Sequence, residues 1–176
     1  MDGYTERLMP HYCSLKQAKE LAERGVDARL AKYNWYVGQP KKAAKARGEE
    51  ERIILSDTTL AYNYKTHEKP VYYGAFSTSE LGIMLPWGYA SFFDKVFQGP
   101  DGIEMVQGVW RIADLTRYAN RLAALNGEPC FSGESLTYTY IVGETEADVR
   151  AKFLIYLLNK GKLTSDTVNF KLKALN

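Results

Sequence analysis

The side chains able to do chemistry in this 176-residue chain are few, and their spacing joins almost none of them. His11-x-Cys13 is a pair of potential metal ligands, while His67 and Cys130 stand far from it in the sequence. A structural zinc site wants four ligands, usually from two such pairs, so neither a metal nor another cofactor is expected. Cys130 with His67 would supply a thiol and a base, but no motif brings them together. Ser132-Gly133-Glu134-Ser135 lacks the Gly-x-Ser-x-Gly of a nucleophile elbow, and Gly99-Pro100-Asp101-Gly102 lacks the lysine and hydroxyl residue of a phosphate loop. The former carries no activity, and the latter reads as a turn. Glu49 and Glu51 fall in a polar stretch, and Glu144, Glu146 and Asp148 open a helix, where the macrodipole favours acids without any catalytic role. No catalytic residue is expected on these grounds, and the cysteines read as structural thiols.

Two patterns suit binding better than catalysis. Lys41, Lys42, Lys45 and Arg47 are a basic run that could meet phosphates, with Tyr33/Trp35, Tyr62/Tyr64 and Tyr138/Tyr140 as strand faces for stacking bases. Against this stand Glu49-Glu50-Glu51 directly after the run, a net charge of only +2, and the tendency of aromatic sheet faces to be packed under helices. The second pattern is Leu85-Pro86-Trp87-Gly88-Tyr89, where Trp87 and Tyr89 are candidate anchors for a protein partner. The bland alternative is a loop closing over the core. Thirteen tyrosines, seven phenylalanines and three tryptophans are more than a core of this size needs, which favours an interface.

The elements that must position these residues follow from caps, periodicity and turns. Ser14 and Gln17 have capping-box spacing, and Leu15, Ala18, Leu21 and Ala22 give a helix to about Arg24 with Gly25 as its stop. Lys32–Val37, Ile53–Leu55, Leu60–Tyr64 and Val71–Phe76 read as strands. Residues 38–52 read as a mobile loop with a helical turn after Pro40, in which Lys45 and Glu49 are spaced to pair. Ser77 and Glu80 form a second capping box, for a short helix that stops near Pro86. Trp87–Val109 reads as a packed loop or short helix, and Arg111–Leu125 as a helix with Ile112, Leu115, Ala119 and Leu122 on one face. Leu136–Val142 alternates as a strand, Thr145 caps a helix from Glu146 to Asn159, and Asp166–Leu175 is a last amphipathic segment.

Three stretches carry a resemblance. His11–Gly25, Phe76–Pro86 with its Ser79-Glu80-Leu81-Gly82…Leu85-Pro86 box, and Glu144–Gly161 resemble, in this order, a set of small uncharacterised proteins of phages and prophages of gut Bacteroidales. They cover roughly a third of the chain. The Lys41–Arg52 loop, the Ala90–Gly127 region and the tail after Gly161 depart from the set as additions. The resemblance implies a phage or mobile-element accessory protein and carries over no activity and no functional residue.

The expectation is one α+β domain over residues 1–176: a small, mainly antiparallel sheet of four to five strands, helices chiefly on one face, and a C-terminal helical extension at 162–176. The expected core is Leu15, Ala18, Leu21, Trp35, Val71, Tyr73, Leu81, Leu85, Ile112, Leu115, Leu122, Tyr138, Tyr140, Phe153, Leu154 and Leu157. Apolar runs such as Phe153–Leu158 are too short to span a bilayer, and Met1–Glu6 has no leader-like pattern, so a reduced, cytoplasmic protein is expected. The expected function leans non-enzymatic: binding a host or phage protein, or a second copy of the chain, with nucleic-acid or nucleotide binding as the alternative and a hydrolase or transferase with an unrecognised site as the third reading.

Overall fold

Ser14 opens the first helix, α1 (Leu15–Glu23): its hydroxyl accepts the Gln17 amide while the Gln17 side chain receives the Ser14 N–H. This is the reciprocal cap that the spacing predicts. The computed structural model that shows it describes residues 9–57, 65–86, 89–98, 105–114 and 141–175. Gly25, at φ 83°, turns the chain out of α1. A side chain there would be strained, and its Cβ would sit 3.1 Å from Ser165 Oγ.

Three strands follow: β1 (Tyr33–Gly38), β2 (Arg52–Ser56) and β3 (Val71–Ala75). They form an antiparallel sheet in the order β2-β1-β3, with Trp35 opposite both Leu55 and Tyr73. Alternation turns Trp35, Leu55 and Ala75 inward. Between β1 and β2 lies a single helical turn, α2 (Lys42–Lys45). Ser77 and Glu80 then make the second capping box, opening α3 (Thr78–Met84).

A second antiparallel sheet holds β4 (Tyr89–Gln98), β5 (Met105–Asp114) and β6 (Ile141–Gly143) in that order. Thr145 caps α4 (Glu146–Asn159) by accepting from the Asp148 amide, and Thr164 likewise caps α5 (Ser165–Lys173). α4 crosses all three strands of the second sheet and also touches α1 and α3. One cluster of buried apolar side chains runs through Trp35, Phe76, Leu81, Ile112, Leu154 and Leu172, and so joins elements from both sheets.

The fold is α+β, but several expectations need correction. In place of one sheet of four to five strands, the described residues hold two sheets of three. The stretch read as a packed loop or short helix around Phe92–Phe97 is strand β4, ten residues long and paired throughout with β5. The helix expected from Arg111 begins inside β5, which runs to Asp114; residues 115–125 lie outside the described residues. The reason is shared. Each apolar run is compatible with more than one period, and only the partner strand supplies the hydrogen bonds that decide between them. Val71, expected in the core, is 58% exposed. It shares a face with Tyr73 and Ala75 but begins the strand, at the end opposite the buried Ala75. Tyr73 and Leu15 are half-buried against the core. The strands expected at Leu60–Tyr64 and over residues 136–140, the turn at Gly99–Gly102, and Leu115, Leu122, Tyr138 and Tyr140 lie outside the described residues. Among those described, no helix is long and apolar enough to cross a membrane.

Candidate functional site

Helix α4 presents two polar groups, Asp148 and Arg150, to the elements packed around it. The spacings Glu146–Arg150 and Asp148–Lys152 are each i,i+4 pairs on a helix, and both ion pairs form. Arg150 reaches between α3 and β4. Its Nε donates to Ser91 Oγ at 2.9 Å, its Nη1 to the Thr78 carbonyl at 2.9 Å, and its Nη2 to Glu146 Oε1 at 2.5 Å. Ser91 passes its own proton to the same Glu146 oxygen, also at 2.5 Å. The guanidinium is therefore clamped by three elements. Gly82 makes this possible: any Cβ there would strike Arg150 Nη1. With three hydrogen bonds fixing its plane, the arginine has little freedom to move aside.

Beside this cluster lies an open cavity of about 400 Å³. Its polar lining comes from Ser79, Ser91 and Arg150, and its apolar lining from Ile83, Leu85, Tyr89 and Ile112. Tyr89 is held in place by Phe153, ring centroids 4.7 Å apart, and Phe153 stacks in turn on Tyr156 at 6.1 Å.

The register of β4 and β5 extends this face in the other direction. Ser91 lies opposite Ile112, and two residues along Phe93 lies opposite Trp110. Those rings meet edge to face at 5.7 Å, and Phe93 is 54% exposed. One face of the sheet thus runs from the Tyr89–Phe153 pair, past the arginine cluster, to a phenylalanine held by tryptophan at its outer end.

Asp148 faces α1. One carboxylate oxygen accepts from Gln17 Nε2 at 2.6 Å, and the other takes Lys152 Nζ at 2.7 Å and the Glu144 amide at 3.1 Å. Gln17, which is buried, also donates to the Asp148 carbonyl, while its own oxygen serves the Ser14 cap. Near the other end of α3, Lys171 Nζ donates to the carbonyls of Met84 and Leu85. Partial burial lowers its pKa from the ordinary lysine value.

The residues singled out in the sequence fall elsewhere. His11 is exposed, and its carbonyl accepts from Thr78 Oγ1. Cys13 is fully buried with its thiol toward the Gly74 carbonyl; burial pushes its pKa up to about 12, so it stays a neutral thiol. His67 is buried and donates from Nε2 to the Glu50 carbonyl, 3.1 Å away, and Cys130 lies outside the described residues. Among the described residues no three His, Cys, Asp or Glu side chains gather as metal ligands. Lys41, Lys42, Lys45 and Arg47 are exposed on and beside α2, where Arg47 pairs with Glu49 at 3.2 Å; the pairing expected there was Lys45 with Glu49. Trp35 cannot stack on a base: it is buried, with Nε1 donating to the Cys13 carbonyl at 2.9 Å. Tyr33 is half-buried against Tyr12, 5.1 Å away. Tyr89 is half-buried on Phe153, and Trp87 lies outside the described residues.

No family model, curated protein or solved structure matches this chain. The site therefore stands on its own geometry. Sequence reasoning missed Arg150, Ser91 and Gly82 as a unit, because they lie on three separate elements. The legible signal was the pair of i,i+4 spacings in the closing helix, read there only as first-turn acids. The three stretches that carry the resemblance also meet in space: Gln17 bonds Asp148, Thr78 bonds His11, and Arg150 bonds Thr78.

Proposed function

We propose that the protein is a non-enzymatic accessory protein of a phage or other mobile element, acting in the host cytoplasm by binding a host or phage protein. The observation that carries the binding is Phe93, a large aromatic side chain more exposed than buried yet fixed against Trp110. An aromatic held in one orientation loses little conformational entropy on docking, which suits it to the centre of an interface. Cys13, a neutral buried thiol, adds no nucleophile. The phage origin rests on the resemblance alone.

The test is affinity purification of tagged wild-type and Phe93→Ser proteins from the native host, with mass spectrometry of the eluates. A stoichiometric protein captured by wild type and lost with Phe93→Ser is the expected result. A partner retained equally by both would overturn the assignment of the surface.

The alternative, nucleic-acid or nucleotide binding, draws on the exposure of Lys41, Lys42, Lys45 and Arg47 around one helical turn. It is weakened by the burial of Trp35 and by the Arg47–Glu49 pair. A binder of this kind would lose affinity steeply with salt, less so after Lys41→Ala with Lys42→Ala.

A further inference from the structure

The cavity beside Arg150 has a donor-rich lining that the reading above does not use. A guanidinium has five N–H donors. Among the described residues three of them are committed, one each to Ser91, Thr78 and Glu146, which leaves one N–H on each terminal nitrogen. Ser91 contributes no further donor, because its single proton goes to Glu146. Ser79 and the half-buried Tyr89 also line the cavity and carry hydroxyls. Glu146 is not part of the lining; it holds Arg150 from outside the cavity. The remaining wall is apolar, made by Ile83, Leu85 and Ile112.

We propose that this cavity is a binding site for a carboxylate carried on a short apolar or aromatic body, with the carboxylate on Arg150 and the body against Ile83, Leu85 and Ile112. Two fixed N–H groups of one guanidinium are the geometry that a carboxylate or a lone carbonyl oxygen accepts, and the charged acceptor makes the stronger bonds. Preorganisation supports the assignment. Three bonds and the absence of a Cβ at Gly82 set the plane of Arg150 before any ligand arrives, so binding need not order it. The volume, about 400 Å³, lies within the range of small-molecule sites. Because Glu146 balances the formal charge of Arg150, recognition comes from directed hydrogen bonds in a partly apolar setting more than from long-range attraction.

The probe is 3-phenylpropanoate, titrated onto the full-length ¹⁵N-labelled protein while following the Arg150 side-chain Nε–H and the Gly82 and Ser91 amides. For a ligand of this size a Kd on the order of 1 mM is expected. The neutral amide, 3-phenylpropanamide, should bind roughly tenfold more weakly. Ile83→Trp, at an exposed position on the wall, should fill the cavity and abolish the shifts while leaving the Arg150 cluster intact. Arg150→Lys, which loses the fork, should weaken the acid at least as much as the change to amide does. If that variant fails to fold, Ile83→Trp and the amide still decide the matter. Equal binding of acid and amide, unchanged affinity in Ile83→Trp, or no shift at these three groups up to roughly 10 mM would overturn the proposal. The carboxylate could belong to a free organic acid or to the C-terminus of a peptide. Tighter binding of N-acetyl-Gly-Phe than of 3-phenylpropanoate would assign the peptide end, and equal or weaker binding the free acid.

Discussion

Asp148 and Arg150 sit two residues apart on the same helix, and both are anchored by i,i+4 partners, yet they do different things. Asp148 also lines an open cavity, of about 410 Å³, but its two oxygens are spent within the protein: Gln17, Lys152 and the Glu144 amide converge on them, and its main partner Gln17 is buried. Arg150 is clamped just as firmly, yet it reaches its own cavity with donors to spare. The first is a strut between α1 and α4. The second has the makings of a site, because order and unspent hydrogen-bonding capacity occur together there.

Leu154 is fully buried on the helix that carries both nodes, and Leu154→Ala should cost about 2–5 kcal/mol in urea unfolding by leaving a cavity. Gln17→Leu should cost about 1–3 kcal/mol, since it removes the buried donor to Asp148 and one half of the Ser14 cap. If Asp148 is only a strut, that variant must leave 3-phenylpropanoate binding at Arg150 unchanged once folded. Gly82→Ala should destabilise by roughly 1–2 kcal/mol, because the new methyl displaces a hydrogen-bonded guanidinium. In contrast to Gln17→Leu, it should also abolish that binding, and a variant that kept full affinity would show the clamp to be dispensable. Phe93→Ser should cost about 0.5–1 kcal/mol in the same assay, since the half-exposed ring gives up its edge-to-face contact with Trp110. Its effect belongs in partner capture.

Cys13 gives a test by pH. Its pKa is raised in the folded state to about 12, above the reference value of 9.0, so folding favours the protonated thiol. That contribution is complete below pH 9.0 and is lost as pH rises toward 12, where the unfolded chain releases a proton the folded one retains. Iodoacetamide at pH 8 should leave Cys13 unmodified in the folded protein and alkylate it after urea unfolding, read by peptide mapping. Modification of Cys13 in the native protein would contradict its burial.

How much could be read in advance depended on the range of the interactions involved. Ser14/Gln17, Ser77/Glu80 and Thr145 announced three helix starts correctly, because a cap is made within four residues of itself. The strand β1 and the burial of Trp35, Leu81 and Leu154 were equally legible from residue type and alternation. β4 and the start of β5 were not. Phe92, Phe93, Val96 and Phe97 suit a strand, a loop or a helix alike until a second strand aligns with them.

The helix starts, much of the buried set and the absence of familiar catalytic spacing are written into the chain, all consequences of short-range backbone and side-chain chemistry. That the six described strands divide into two sheets, and that Gly82, Ser91, Glu146 and Arg150 share one place, follows from packing alone. A guanidinium that needs three partners finds them on whichever elements pack together. That packing is set by the fit of whole helix and sheet faces, which no local spacing encodes.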